Sequence, residues 1–277
     1  MGVKIFITGH KGKLGQVIVN QLKNKYDFQG YDIKDDQKDN LSDVERLKKA
    51  IQGCEYVIHA AAIPHPRQGT FDDYFNTNII GSLNVMKAAS NKIKRFIFLS
   101  SIGYYGCSSS GGIQPLYFPI DEQHPTSTQA SNYQGKLEIY DQTKVVGEHF
   151  LEFFASNAAF EGIALRIAPA NSKKEQYPKN DKWKKNPGFR TRGFWSNCDP
   201  ISVVNAIECC IESDKKFIFE PFNIGDLYTY KDVDLKHFVK TQYPNTTIKQ
   251  GYDFSTSLYS SDKAQKEIGF IPLKDRE

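Results

Sequence analysis

The sequence predicts an α/β fold in which a doubly wound parallel sheet is followed by a small C-terminal lobe. Three observations support this prediction. Apolar strand-like runs alternate with amphipathic helical stretches through the first two-thirds of the 277 residues, a pattern typical of a parallel sheet covered by helices on both faces. A glycine-rich turn follows the first of these strands. Beyond about residue 169 the alternation gives way to shorter elements, after a segment rich in Lys, Asn and Pro.

The first elements are the most regular. Residues 3–7 form a β-branched and aromatic run, and Leu14, Val17, Ile18 and Leu22 recur at helical spacing, so a buried strand leads into a helix. Strands are further predicted at 28–32, 56–60, 96–99 and 162–167, and helices at 43–51, 71–91 and 140–154. Because ligands of such sheets lie beyond the carboxyl ends of the strands, candidate groups are expected together on one rim.

The turn after the first strand carries glycines at the spacing Gly9-x-x-Gly12-x-x-Gly15. Gly9 permits a tight turn, Gly12 lets the backbone approach a pyrophosphate, and Gly15 lets the helix pack closely on the strand. The positive N-terminus of that helix would then face the phosphates. We therefore expect a dinucleotide here, with Lys11 and Leu14 among its contacts. The alternative is an ordinary strand-to-helix turn.

Asp32 ends the second strand at about the distance expected for a carboxylate that accepts hydrogen bonds from the adenosine ribose hydroxyls. This position favours NAD as the cofactor. Lys11 and Lys34 are cations that could meet the 2′-phosphate of NADP, so NADP is kept as an alternative. Asp32 could also be a solvated acid in a loop that holds several others.

The C-terminal part is predicted to contain helices at 201–212, 231–242 and 261–268 and a strand at 217–224. We predict a Rossmann-type dinucleotide-binding domain over residues 1–168. Residues 169–277 are then mostly a substrate-binding lobe, including elements that pack back on the first domain.

Composition argues against several other classes. The net charge of +4 is slight. The sequence also lacks a basic stripe interleaved with aromatic residues, which would indicate nucleic-acid binding. The five cysteines form no C-x-x-C pair, and neither a disulfide framework nor a metal site is expected. No apolar run is long enough to cross a bilayer, and the first residues read as a core strand instead of a leader. We expect a cytoplasmic protein without a membrane or nucleic-acid partner.

A second motif, Tyr140-x-x-x-Lys144, places a phenol and an ammonium one turn apart on a predicted helix, so that they share a face. The ammonium favours the phenolate and lowers a phenol pKa that is ordinarily near 10. Oxidation of an alcohol needs such a base, because the hydroxyl proton must be removed as hydride leaves the carbon that bears the hydroxyl. Lys144 could also hold the nicotinamide ribose, and Ser101 could hydrogen-bond the substrate oxygen. The alternative is an exposed Tyr-Lys helix pair.

Ordered motifs extend this pattern over most of the chain. They are Gly9-x-x-Gly12-x-x-Gly15, Asp32, Asp39-x-Leu41-Ser42-Asp43, His59-Ala60-Ala61-Ala62, Asn78-Ile79-Ile80-Gly81-Ser82, Ser100-Ser101-Ile102-Gly103-Tyr104-Tyr105-Gly106, Tyr140-x-x-x-Lys144, Gly147-Glu148, Leu165-Arg166 and Asn223-Ile224-Gly225. The chain resembles the extended short-chain dehydrogenase/reductase family, the NAD-dependent epimerase and dehydratase group. The resemblance implies that Ser101, Tyr140 and Lys144 are catalytic. It also implies cofactor contacts at Ala60, Ala61, Ala62, Asn78, Tyr140 and Lys144.

Departures from the family pattern narrow the expected activity. Ile102-Gly103 follow Ser101 where the 4,6-dehydratases carry an Asp-Glu pair, so that activity is not expected. Asn171 stands in a segment that lacks the epimerases' Asn-x-x-Gly-Pro pattern, although it is kept as a substrate contact. The run from Arg192 to Trp195 is similar to uronate dehydrogenases. Arg192 would then pair with a substrate carboxylate, and Trp195 would contact substrate or pack in the core.

These observations predict hydride transfer at a secondary alcohol of a sugar or nucleotide sugar by an NAD-dependent epimerase or dehydrogenase. A dehydrogenase of a free uronic acid is the close alternative. A non-catalytic dinucleotide sensor is an alternative of another class, although such a protein would be expected to lack Tyr140 or Lys144. Members of the resembled family often form homodimers through the Tyr-Lys helix, and a homodimer is kept as an open expectation.

One feature competes with the assignment of the base. The chain between Ser101 and Tyr140 is longer than is usual in the resembled family, and the extra residues fall between His124 and Leu137. Tyr133 lies in this insertion, followed by Lys136 at a spacing that does not share its helical face. Helical geometry therefore favours Tyr140 as the base. The inserted loop itself is expected to be a lid or a partner surface.

Overall fold

A computed structural model describes residues 2–64, 68–107, 114–126, 138–172, 192–230 and 233–275. Its strands are β1 (Lys4–Thr8), β2 (Asp27–Tyr31), β3 (Tyr56–His59), β4 (Arg95–Ser101), β5 (Tyr117–Phe118), β6 (Glu161–Ile167), β7 (Phe219–Ile224) and β8 (Thr247–Ile248). Within these residues, six strands form a parallel sheet in the order β2-β1-β3-β4-β6-β7. Strand order reverses between β1 and β3, where a doubly wound sheet opens a crevice for a ligand.

Helices cover both faces of this sheet. They are α1 (Lys13–Leu22), α2 (Val44–Ile51), α3 (Phe71–Tyr74), α4 (Ser82–Ala89), α5 (Ile139–Ser156), α6 (Pro200–Glu212), α7 (Leu235–Gln242) and α8 (Asp262–Ile268). Ile5 and Ile7 of β1 pack into the core on the side of α1 and α6. Phe6 packs on the opposite side, with α2 and α4. Alternate residues of one strand thus fill two cores, and the predicted doubly wound fold is confirmed.

The predicted elements differ from the structure in detail. The single helix expected at 71–91 is divided into α3, a π-helical segment over Phe75–Gly81, and α4. The pairing of β5 with β8 was not predicted, because strands of two residues each carry no readable alternation. Among the helices that the structure describes, none has the length and apolar character needed to cross a bilayer.

The C-terminal residues contribute to the main sheet and to an aromatic cluster that is continuous with the core on the α1 side of the sheet. Strand β7 pairs with β6, and α6 packs against α1. Phe194 and Tyr259 are buried and lie 5.8 Å apart between ring centroids, close to Phe118 and Phe238. The predicted division at residue 168 follows the end of β6 directly and stays a prediction.

One face of α5 is free of the sheet. Val145 is buried and Phe150 packs on the core, whereas the side chain of Phe153 is 60% exposed. The homodimer expected through this helix stays a prediction.

Candidate active site

The glycine turn lies at the carboxyl end of β1 and has almost no room for side chains. Gly9 has a φ of +72°, which favours glycine, and a Cβ there would lie 2.6 Å from the backbone nitrogen of Ala61. A Cβ on Gly15 would lie 2.2 Å from the carbonyl oxygen of Gly9. The first and third glycines are therefore required by the close packing of β1, α1 and the end of β3.

The middle glycine, Gly12, leaves the N-terminus of α1 open to an anion. Helix α1 begins after Gly12, which has no side chain that could cap the first backbone N–H groups. An added Cβ on Gly12 would approach the Gly9 carbonyl oxygen at 3.0 Å. Unshielded N–H groups at a helix N-terminus are suited to phosphate, so the turn fits the pyrophosphate of a dinucleotide.

Asp32 follows β2 on the same rim and is only 9% exposed. Its two carboxylate oxygens accept hydrogen bonds from the backbone N–H groups of Lys11 and Lys34, each at 3.0 Å. The carboxylate is thus fixed between the glycine turn and the loop after β2. This position is the one expected of a group that binds the adenosine ribose.

Asn78 connects the loop after β3 to the helix that carries Tyr140. Its amide oxygen accepts from the backbone N–H of Ile63 at 2.8 Å, and its amide nitrogen donates to Thr143 Oγ1 at 3.2 Å. Asn78 is buried in the π-helical segment, and such segments are frequent at functional sites. Ala61 lies in the same loop, where its N–H donates to Thr8 Oγ1 at 3.3 Å.

Ser101, Tyr140 and Lys144 converge where α5 packs against the turn after β4. Ser101 ends β4, and its hydroxyl accepts from the N–H of Gly103 at 3.0 Å. Lys144 is 5% exposed; its ammonium donates to the carbonyl oxygen of Leu99 at 2.8 Å and lies 5.6 Å from the Tyr140 ring centroid. Burial lowers the pKa of Lys144 to about 8, and the charge of Glu148 opposes this shift. At neutral pH Lys144 is therefore largely charged.

A carboxylate that the sequence motifs did not indicate lies beside Gly103, in the turn after Ser101. A Cβ on Gly103 would lie 2.1 Å from Asp141 Oδ1 and 3.3 Å from Ser101 Oγ. Asp141 is 8% exposed and therefore occupies the space that a larger residue at position 103 would need. In the sequence it resembles an ordinary acid in the first turn of a helix, because nothing local indicates its contact with Gly103.

Several motif residues form one buried polar network below the site. Arg166, on β6, donates to Glu148 of α5 at 2.8 Å, and Glu148 also accepts from Ser100 Oγ at 2.5 Å. Both charged side chains are at most 3% exposed. The guanidinium carbon of Arg166 lies 3.5 Å from the Tyr104 ring centroid, and Nη1 donates to the hydroxyl of Tyr105 at 3.0 Å. The turn after Ser101 is thereby held against α5 and β6.

Among the predicted substrate contacts after β6, the structure describes Asn171 and Trp195 fully and Arg192 by its backbone. Trp195 is 7% exposed and packs on Phe238 with ring centroids 4.7 Å apart, so the structure places it in the aromatic core. Asn171 is half-buried in the segment after β6. The backbone of Arg192 begins the turn that leads to Trp195, but its side chain is outside the described residues. Tyr133 and Lys136 are also outside them.

His59, at the end of β3, is a buried neutral imidazole with both nitrogens engaged. Its Nδ1 lies 2.7 Å from Thr8 Oγ1 and its Nε2 lies 2.8 Å from Ser82 Oγ. Burial, followed by the charge of Lys144, lowers the pKa of His59 to about 3. The side chain therefore supports the end of β3 and does not act as an acid or base near neutral pH.

Acid is expected to destabilise the protein through His59. A folded-state pKa below the unfolded value of about 6.5 means that its contribution is complete above pH 6.5 and is lost as the pH falls toward 3. We expect the wild-type free energy of unfolding, measured in urea, to fall between pH 6.5 and 4 by on the order of a few kcal/mol more than that of His59→Gln. Parallel pH profiles for the two proteins would contradict this expectation.

The part of the chain that the structure describes holds no group of three or more His, Cys, Asp or Glu side chains that could bind a metal ion.

A glycine turn on the rim of a doubly wound parallel sheet, with an acid after β2, defines a dinucleotide-binding α/β protein. The chain belongs to the NAD dependent epimerase/dehydratase family, whose model matches residues 5–184. The resemblance stated from the motifs is thus confirmed. Membership in this family also confirms the expectation of a nicotinamide dinucleotide cofactor.

Two curated relatives act on sugars by name. The chain is 27% identical to the L-arabinose 1-dehydrogenase (NAD(P)(+)) of Haloferax volcanii over 179 residues, which cover 59% of this chain and 66% of that protein. It is 22% identical to the NAD-dependent glucose-6-phosphate dehydrogenase of the same organism over 288 aligned positions, which cover 98% of this chain and 94% of that protein.

Solved structures share the fold over nearly the whole chain. A short-chain dehydrogenase/reductase superfamily protein from Agrobacterium tumefaciens with bound NAD has a TM-score of 0.68 at 19% identity, over 99% of this chain and 93% of that one. The UDP-glucuronic acid 4-epimerase of Bacillus cereus, in complex with UDP-glucuronic acid and NAD, has a TM-score of 0.63 at 20% identity, over 99% of this chain and 95% of that one. A mutated uronate dehydrogenase has a TM-score of 0.64 at 15% identity, over 100% of this chain and 83% of that one.

Proposed function

We propose that this protein transfers hydride between a secondary alcohol of a sugar and NAD, with Tyr140 as the base. The observation that carries the proposal is the placement of Tyr140 and the buried Lys144 on one face of α5, beside Ser101 at the end of β4. The glycine turn and Asp32 lie on the same rim of the sheet. A fold that only bound a dinucleotide would not need this phenol and ammonium together.

The roles of the side chains follow from their chemistry. Hydride acceptance at the nicotinamide ring is what the bound dinucleotide supplies. Ser101 binds the substrate oxygen, and Tyr140 takes the hydroxyl proton as the carbon gives up its hydride. The Lys144 ammonium favours the phenolate form of Tyr140. Asn78 holds α5 against the loop after β3, through Thr143, and so fixes the distance between the base and the cofactor site.

Within this activity we favour a dehydrogenase that acts on a free sugar or sugar acid. Both curated relatives described above are sugar dehydrogenases by name, and one of them aligns with almost the whole chain. The segment after β6 also lacks the residue pattern typical of nucleotide-sugar epimerases. A nucleotide-sugar epimerase is the second candidate, because a UDP-glucuronic acid 4-epimerase shares the fold.

Cofactor retention separates the two candidates. A dehydrogenase releases reduced cofactor at each turnover, whereas an epimerase reoxidises it in place. We expect mass spectrometry of the denatured protein to find well below one NAD per chain, and absorbance to show NADH formed from L-arabinose, glucose 6-phosphate or glucuronate. Near-stoichiometric NAD, with interconversion of UDP-glucose or UDP-glucuronate, would favour the epimerase. Dinucleotide binding without turnover of any of these sugars would favour a sensor.

A further inference from the structure

Two lysines flank the Asp32 carboxylate, which is expected to bind the adenosine ribose. The backbone N–H groups of Lys11 and Lys34 donate to Asp32, and the ammonium of Lys34 donates to the carbonyl oxygen of Lys11 at 3.3 Å. Their side chains therefore start from the edge of the position where NADP would carry its 2′-phosphate. By themselves, these cations would favour the phosphorylated cofactor.

A third acid changes the charge of this corner. Asp35 Oδ1 lies 3.2 Å from the ammonium of Lys11, and its Oδ2 lies 2.7 Å from Nε2 of His10. The His10 ring is packed against β2, because a Cβ on Gly30 would lie 2.7 Å from it. His10 therefore holds Asp35 in place, and Asp35 in turn engages Lys11.

We propose that Asp35 is a specificity-determining residue that selects NAD against NADP by pairing with Lys11 beside the ribose site. A 2′-phosphate placed here would meet the carboxylate of Asp32, while the Lys11 ammonium that could offset this repulsion is already paired with Asp35. Like charges at contact distance oppose binding. NAD presents a neutral ribose hydroxyl at the same point and does not meet this repulsion.

The neighbouring acids do not share this role. Asp36 lies 2.8 Å and Asp39 2.6 Å from the guanidinium of Arg46 on α2. Both carboxylates are thus paired with Arg46. Among the described residues, neither of them forms an ion pair with Lys11 or His10. Asp36→Asn is consequently a matched control: it removes the same charge one position along the chain and leaves the Asp35 pairs intact.

Cofactor binding tests the proposal without any sugar substrate. NADH and NADPH are titrated separately into wild-type, Asp35→Asn, Asp36→Asn and Asp35→Asn/Lys11→Ala proteins at low ionic strength, because salt screens exposed charges. Fluorescence of the reduced nicotinamide gives Kd. We expect Asp35→Asn to bind NADPH about tenfold more tightly with NADH changed less than twofold, Asp36→Asn to match wild type, and the double variant to lose the gain.

Several outcomes would overturn the proposal. They are an unchanged NADPH affinity in Asp35→Asn, equal tightening of both dinucleotides, an equal gain in Asp36→Asn, or a gain that survives the loss of Lys11. Thermal unfolding of each variant checks that it is folded. The proposal depends on the dinucleotide site and not on the proposed reaction, so failure of every sugar leaves it standing. Failure of wild type to bind either dinucleotide would overturn both the site and the proposal.

Discussion

Replacing Tyr140 by Phe is expected to lower kcat by about a thousandfold while the Kd for NADH changes less than twofold. A general base contributes a factor of this order, and the substitution removes only the hydroxyl that takes the proton. The ring is kept, so α5 retains its packing beside Lys144. The measurement is initial-rate NADH formation on the sugar that wild type turns over, together with a fluorescence titration of NADH.

Tyr133→Phe is the matched control, because Tyr133 is the competing phenol in the inserted segment. It is expected to keep kcat within a few-fold of wild type. A large loss in Tyr133→Phe with little change in Tyr140→Phe would transfer the role of base to the insertion. Loss of NADH binding in Tyr140→Phe would instead mean that the phenol is a cofactor contact first.

The elements around the cofactor could be predicted because each of them carries its own signal. Ile5, Phe6 and Ile7 alternate between two apolar cores, and a strand buried on both faces has few other interpretations. The glycines at 9, 12 and 15 answer to local constraints, namely a left-handed turn and two close backbone approaches. Tyr140 and Lys144 needed only the helical repeat to be placed on one face. In each case the predictive pattern arises from constraints among residues that are close in sequence.

The residues that were missed depend on contacts between distant parts of the chain. Asp141 lies against Gly103, in the turn after Ser101, because this residue has no side chain and α5 packs on that turn. Asp35 pairs with Lys11 and His10 because β1 and β2 end side by side. Topology creates both arrangements, and neither has a sequence period.

The turn before α6 could not be predicted for a different reason. Phe194 and Trp195 both have positive φ values, +51° and +58°, in a region that large side chains seldom adopt. Burial of both rings in the aromatic cluster stabilises this backbone. The sequence left open whether Trp195 contacts substrate or packs in the core, and the structure gives the second arrangement.

Removing one partner of the Glu148–Arg166 pair is expected to destabilise the protein by about 3–5 kcal/mol, because the other charge would remain buried and unpaired. Both side chains are at most 3% exposed. Glu148→Gln leaves the Arg166 guanidinium without its carboxylate. Arg166→Met leaves the buried Glu148 carboxylate without its cation, while Ser100 Oγ still donates to it at 2.5 Å. Urea unfolding monitored by tryptophan fluorescence and circular dichroism gives the free energies.

The double variant, Glu148→Gln with Arg166→Met, distinguishes a stabilising pair from a positioning one. With no buried charge left, much of the lost free energy of unfolding should return, so the two single effects should be strongly non-additive. Turnover should not return with it, because Arg166 also holds Tyr104 and Tyr105 in the turn after Ser101. The absence of Glu148 should also lower the pKa of Lys144 further, since its charge opposes the effect of burial. A double variant that regained both stability and kcat would show that the network contributes to folding alone.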